Sequence, residues 1–381
     1  MMNAVQQLEQ LGQSVWYDNI SRGILRSGEL QGLVDQGVLG VTSNPTIFDK
    51  AISGSADYDD QIRQLIHSRP AISVEEIIQA LMVKDIQMAT DILRPVYDRT
   101  QRRDGYVSME VTPSKARDTK ATIEEVRLLW ALINRPNLMI KIPATAEGLP
   151  AIEQAIREGM NINVTLIFSV DRYREVAEAY IRGLEQRVLD GKPLDHVASV
   201  ASVFVSRIDT LVDEMLQKDI AVTADATQGA RLRSHLGTAA VANTRIVYRN
   251  FIQLFTGSRF ESLTRKGAAF QRPLWGSTGA KNPAYSDLLY VETLVGPHTV
   301  NTVPPQTLAA ILDHLHPETT IEKDGDRPDR IIRELEKVGV NMAWVMKKLE
   351  NDGVATFEKS FDGLYKNLLD KRNAFAGTVL P

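Results

Sequence analysis

Apolar residues recur along this chain in two rhythms. Short runs rich in Val, Ile and aromatic residues alternate with longer stretches in which apolar positions return every three or four residues. The first rhythm is that of buried strands and the second that of amphipathic helices, so their alternation predicts a parallel sheet with crossover helices. Eight short runs stand out: SVWYDNI (14–20), GVTSNPTIF (40–48), YVSMEV (106–111), LMIKIPA (138–144), NINVTLIFS (161–169), VASVASVFV (197–205), RPLWGSTG (272–279) and a weaker HTVNTVP (298–304). Stretches such as IEEVRLLWALINR, LPAIEQAIREG and DRYREVAEAYIRGLEQ separate them with helical period. Eight strands so arranged point to an α/β fold of the closed TIM (β/α)8 barrel type rather than to an open doubly wound sheet.

Two intervals, 49–105 and 206–271, are longer than one crossover helix requires and are expected to hold helical insertions. No Gly/Ser linker, low-complexity tract or fixed-period repeat marks a boundary, so residues 1–381 are expected to form one domain. After residue 305 the pattern is purely helical. RIIRELEKVGVNMAWVMKKLENDG and VATFEKSFDGLYKNLLDKRNAF read there as two C-terminal amphipathic segments expected to pack on the barrel.

Composition narrows the chemistry. With 44 Lys+Arg against 48 Asp+Glu, a formal charge of -4 and no block of like charges, the chain has no basic field for nucleic acid or an anionic membrane. No stretch approaches the roughly 18–20 apolar residues of a membrane span, and the first residues lack the apolar core of a signal peptide, so a cytoplasmic protein is expected. The absence of cysteine excludes disulfides, thiolate nucleophiles and cysteine-based metal sites. Neither G-x-G-x-x-G nor a P-loop motif occurs. His314 and His316 lie two apart on an expected helix, so their rings diverge and are not expected to make a metal site.

One lysine changes the picture. Lys141 sits inside the apolar run LMIKIPA, and a partly desolvated amine is held closer to its neutral, nucleophilic form. The plainer reading is a lysine that snorkels to solvent or pairs with a carboxylate. Its neighbours weigh against that alone. Polar residues recur late in the strand runs: Asp18, Thr42, Asn44, Ser108, Glu110, Asn163, Thr165, Ser202 and Ser277, with Phe204 beside Ser202. With Lys141 itself, seven of the eight runs contribute, whereas strands buried on both faces should be almost continuously apolar. The strand ends of a barrel would gather these residues at one mouth.

GVTSNPTIF and LMIKIPATAEGL resemble the two hallmark segments of the transaldolases, and VSMEVTP, GMNINVTLIFS and ASVFVSRID follow in the family's order. The resemblance covers at least residues 14–210, while the length and the RPLWGSTGAKNP and TVNTVPP segments are similar to the longer bacterial branch. It implies a pentose phosphate pathway enzyme that needs neither metal nor organic cofactor. Such an enzyme moves a dihydroxyacetone unit from fructose 6-phosphate or sedoheptulose 7-phosphate to erythrose 4-phosphate or glyceraldehyde 3-phosphate. Sugar phosphates would be its partners, and it would act as a monomer or homodimer. By motif position, Lys141 would form the Schiff base, Asp18 would exchange the C4 hydroxyl proton, and Glu110 with Thr165 would hold a water. Asn44 and Asn163 would bind the dihydroxyacetone part, Ser202 a substrate hydroxyl and Arg207 the phosphate.

The sequence departs from the shorter transaldolases at the seventh run. There a serine is followed two residues later by an arginine that shares the phosphate; here Ser277 is followed by Thr278 and Gly279. Lys281 and Arg272 are the nearest cations, and Lys281 is the substitute expected, with YSDLLYVETLVG remodelling the phosphate rim. Arg207 read alone could equally be a structural salt-bridge partner. A related fructose 6-phosphate aldolase, which releases free dihydroxyacetone, would carry Gln at the Glu110 position and Tyr at the Phe204 position, so both residues favour transfer. A silent sugar-phosphate-binding protein would have no need of Asp18, Glu110, Lys141 and Thr165 together.

Overall fold

The computed structural model describes residues 2–376. Among them seven strands form one parallel sheet: β1 (Gln13–Tyr17), β2 (Val107–Glu110), β3 (Leu138–Pro143), β4 (Ile162–Ile167), β5 (Ser199–Phe204), β6 (Gln271–Gly276) and β7 (Thr299–Val303). Their order is β1-β7-β6-β5-β4-β3-β2, which leaves β1 and β2 as the two ends. Every strand residue except Phe204 is buried, as expected where helices cover a parallel sheet.

The second run of the sequence, 40–48, does not form the strand expected of it. Only Val41 pairs, bridging Tyr17 of β1 on one side and Val107 of β2 on the other. The chain then turns into the helix Pro45–Ser53. Asn44 Oδ1 accepts the Ile47 N–H at 3.0 Å as an N-cap, and Pro45 occupies the first turn, where a missing N–H costs no intrahelical bond. The weak last run, by contrast, is a full strand paired with both β1 and β6.

The long intervals hold helices as expected. The first carries the rest of Pro45–Ser53, then Asp59–Ser68 and Val74–Arg99; the second carries Ser206–Val222, Ala226–Arg233, Ala239–Phe255 and Ser258–Thr264. The C-terminal segments divide differently from the reading of the sequence. One helix covers Arg327–Lys337, and a second runs unbroken from Met342 to Ala376 through the expected boundary at Gly353. The break falls at Gly339, whose φ of +100° suits glycine, followed by Asn341, which caps the Trp344 N–H at 3.0 Å. Gly353 serves packing instead: a Cβ there would lie 2.9 Å from Leu166 Cδ2, so its absence lets the helix press onto β4. Farther along, Thr46 and Ser360 share a hydrogen bond at 2.8 Å, and Lys371 pairs with Asp59 at 2.8 Å. No helix among the described residues is long and apolar enough to cross a membrane.

Candidate active site

Opposed residues on neighbouring parallel strands point to the same side of the sheet. Glu110 of β2 is opposed to Lys141 of β3, and Lys141 to Asn163 of β4, so three polar side chains form one inward layer. Lys141 is only 4% exposed. Its Nζ lies 3.2 Å from Glu110 Oε2 and donates to the Ser43 carbonyl at 2.9 Å. The carboxylate-paired lysine and the shielded lysine of the two sequence readings are thus the same residue. Among the described residues neither Glu110 oxygen has a hydrogen-bond partner beyond Lys141, and the buried Thr165 hydroxyl has none. Burial pushes the Glu110 carboxyl above its ordinary value, with the Lys141 ammonium pulling the other way.

Asp18 follows directly on β1. Its carboxylate accepts from Thr42 Oγ1 at 2.6 Å, and Thr42 Oγ1 lies 2.6 Å from Thr302 Oγ1. A hydroxyl has one proton to give, so with Thr42 donating to Asp18, Thr302 donates to Thr42. Burial raises the Asp18 carboxyl despite the positive charge of Lys141, the Thr42 bond and Lys281. Ser202 donates to Asn163 Oδ1 at 2.7 Å, and Asn163 Nδ2 to Ser108 Oγ at 3.0 Å, fixing the amide's orientation from both sides.

A cavity of about 610 Å³ opens at the C-terminal ends of the strands, where parallel α/β folds bind their ligands. Asp18, Asn44, Lys141, Ser202, Phe204, Arg207, Ser277 and Lys281 all line it. Glu110, Asn163 and Thr165 do not; Glu110 touches Lys141 and Asn163 touches Ser202 from behind the wall. Asn44 spends its oxygen on the helix cap, and no partner is found for its Nδ2 among the described residues. The C-terminal helix supplies Thr356 and Phe357 to the rim.

Besides Lys141, three cations face this cavity: Arg207, Lys281 and Lys50. None has an ion-pair partner among the described residues, so the salt-bridge reading of Arg207 does not hold. The Arg207 guanidinium instead lies 5.4 Å from the centre of the Phe204 ring. Burial lowers it from its usual value, with the charge of Asp352 opposing. Arg272 is elsewhere: it is the second residue of β6 and binds Asp104 at 3.0 Å at the opposite end of the sheet, which removes it as a phosphate ligand. Lys50, Thr302 and the Ser43 carbonyl are the participants the sequence reading missed. The polar runs VTSNP and TVNTVP carried a signal for the last two, whereas an exposed lysine on a helix carries none. A second cavity of about 630 Å³ lies beyond Glu110, but Glu75, Glu76, Glu358 and Asp362 give it a lining that repels phosphate.

A buried lysine against a carboxylate, opening on a cavity with unpaired cations, suits imine chemistry on an anionic carbonyl compound. The family description Transaldolase/Fructose-6-phosphate aldolase matches residues 15–368. A transaldolase of Trichodesmium erythraeum (strain IMS101) is 44% identical over 372 residues, covering 97% of each chain. That of Thermobifida fusca (strain YX) is 48% identical over 366 residues, covering 96% of this chain and 97% of its own. That of Thiobacillus denitrificans (strain ATCC 25259 / T1) is 42% identical over 364 residues, covering 95% and 99%. Over nearly its whole length, then, the chain belongs to the transaldolase/fructose-6-phosphate aldolase family.

Proposed function

We propose that this enzyme, a transaldolase by its relatives, moves a dihydroxyacetone unit between sugar phosphates through a Schiff base on Lys141. The observation that carries the reading is the buried Lys141–Glu110 contact at the floor of a cavity rimmed by unpaired cations. Lys141 must lose a proton before it can attack the ketose C2 carbonyl, and Glu110, 3.2 Å away and raised by burial, is placed to receive it. The resulting carbinolamine loses water to give the imine. Two buried groups without a hydrogen-bond partner beyond Lys141 among the described residues, the Glu110 carboxyl and the Thr165 hydroxyl, are those that would hold that water.

Asp18 takes the C4 hydroxyl proton, the C3–C4 bond breaks, and its electron pair passes into the protonated imine to leave an enamine. The aldose phosphate departs. The enamine carbon then attacks the acceptor's carbonyl carbon, Asp18 returns the proton to the new hydroxyl, and water releases Lys141. Asn44 and Asn163 with Ser202 are assigned to the donor hydroxyls, and Arg207 with Lys281 to the phosphate, Ser277 lining the same cavity.

The same reading takes residues 1–381 as one domain and segment 39–42 as the eighth stave of a closed (β/α)8 barrel. Its backbone supports this on both sides. Tyr17 donates to Gly40 and Thr42 to Tyr17 at 2.9 Å each, while Val41 donates to Tyr106 at 2.9 Å and Ser108 to Val41 at 3.0 Å. Glu110 and Phe204 favour transfer over aldol release. Fructose 6-phosphate and erythrose 4-phosphate in a coupled assay should give glyceraldehyde 3-phosphate without matching free dihydroxyacetone. Stoichiometric dihydroxyacetone release would instead assign an aldolase.

A further inference from the structure

Helix Ser206–Val222 carries Arg207 in its first turn, and on the same helix two aspartates four residues apart, Asp209 and Asp213, are buried. Each grips a tyrosine from the segment that follows β6. Tyr285 donates its hydroxyl to Asp213 Oδ2 at 2.5 Å, and Tyr290 donates to Asp209 Oδ2 at 2.9 Å. The other oxygens are held by the backbone of the insertion: Gly237 N–H donates to Asp213 Oδ1 at 2.9 Å and Ala240 N–H to Asp209 Oδ1 at 2.7 Å. Gly237 has φ +70°, and a Cβ on it would lie 2.9 Å from Tyr285 Cζ, so the tyrosine ring seats directly on its backbone.

The other end of the segment is tied to the same helix. Ser206 N–H donates to the Ser277 carbonyl at 3.0 Å, the two hydroxyls lie 2.9 Å apart, and Thr278 donates to Asn301 Oδ1 at 2.8 Å. Lys281 lies between these anchors, exposed and without an ion pair among the described residues. Ionised aspartates crowded in low dielectric are costly, and burial, with Asp213 adding to it, pushes Asp209 up to about 7. Three buried groups, Asp209, Asp213 and Tyr290, and the half-buried Tyr285 held in this arrangement fix one loop against one helix.

We infer that the Asp213–Tyr285 and Asp209–Tyr290 pairs are positioning residues that lock the Lys281 loop to the Arg207 helix and so set the enzyme's preference for phosphorylated sugars. This rests on Arg207 and Lys281 being the phosphate contacts. Without the lock, the flexible Lys281 ammonium would have to be ordered at each binding event, and the loss would appear in affinity for the phosphate rather than in the chemical step.

The test uses the full enzyme with D-glyceraldehyde 3-phosphate and unphosphorylated D-glyceraldehyde as acceptors. Tyr285→Phe removes one oxygen, and it should raise KM for the phosphorylated acceptor about 5- to 20-fold, as expected for a weakened charge-assisted contact. The kcat for that acceptor and the KM for glyceraldehyde should change less than about twofold on the same reasoning. Asp213→Asn, which keeps the size of the side chain, should behave alike, and in a Lys281→Ala background Tyr285→Phe should add nothing. Equal rises for both acceptors, an unchanged KM, or full additivity with Lys281→Ala would overturn the lock. If Lys281→Ala itself leaves the phosphate preference intact, the phosphate assignment fails and the lock falls with it. A wild type without transfer activity would instead sink the functional reading.

Discussion

The two ends of the sheet each bury a cation against a carboxylate, and they treat the pair oppositely. At the N-terminal end Asp104 accepts from Arg272 and from Trp16 Nε1 at 3.0 Å each and from Ser14 Oγ at 2.9 Å, and Arg272 also reaches the Thr299 carbonyl at 2.8 Å. At the C-terminal end Lys141 and Glu110 lie 3.2 Å apart, yet the Glu110 oxygens have no further partner among the described residues. Arg272 Nε has no partner among the described residues, so the contrast lies in the carboxylates: both Asp104 oxygens are bonded and specify packing, while an under-bonded carboxylate beside an amine is free to exchange protons with what binds there. Polar residues in strands are therefore not equal evidence of chemistry; what separates them is how many of their bonds the fold has already used.

That contrast can be broken by substitution. Lys141→Arg should abolish turnover while the cooperative thermal transition survives, because a guanidinium stays charged and forms no imine. Residual turnover in a coupled assay would contradict the assignment. Glu110→Gln should slow transfer and imine hydrolysis together by roughly 10²- to 10⁴-fold, the usual scale of general acid–base catalysis. The mirror change at the other end, Asp104→Ala, should cost about 3–5 kcal/mol of stability by leaving Arg272 buried and unpaired, with kcat per folded molecule nearly unchanged. A denaturant titration beside the kinetics separates the two. If Asp104→Ala spares stability and removes activity, the division between the ends is wrong.

The sequence made much of this legible and hid the rest for identifiable reasons. Lys141 and Glu110 were visible because a charge inside an apolar run is rare, and strand pairing then placed them together. The misread run 40–48 contained its own correction, since Asn44-Pro45 is a helix-start signal that the β-branched neighbours outweighed. At the C-terminus Gly339 gave a true stop, whereas Gly353 misled because its role is contact with Leu166, a residue 187 positions earlier (353 − 166). The Tyr285–Asp213 and Tyr290–Asp209 pairs join residues 72 and 81 apart, which no local pattern can announce.

The smallest expected effect sharpens the account of specificity. Phe204 lines the cavity, packs edge-on against Phe168 at 5.6 Å, and carries no hydroxyl that could protonate the proposed enamine. Phe204→Tyr introduces a hydroxyl acid at that position and should raise the ratio of dihydroxyacetone release to transfer several-fold, within the range of a single general acid. Product partition left unchanged when both activities are measured side by side would remove Phe204 from the explanation.

The central claim is that the amine of Lys141 is the nucleophile, and borohydride reduction in the presence of fructose 6-phosphate tests it most directly. The account predicts one covalent three-carbon adduct per chain, mapped by peptide mass spectrometry to Lys141 and absent from Lys141→Arg. An adduct on Lys50, Lys281 or any other lysine, or none at all in an active enzyme, would contradict it.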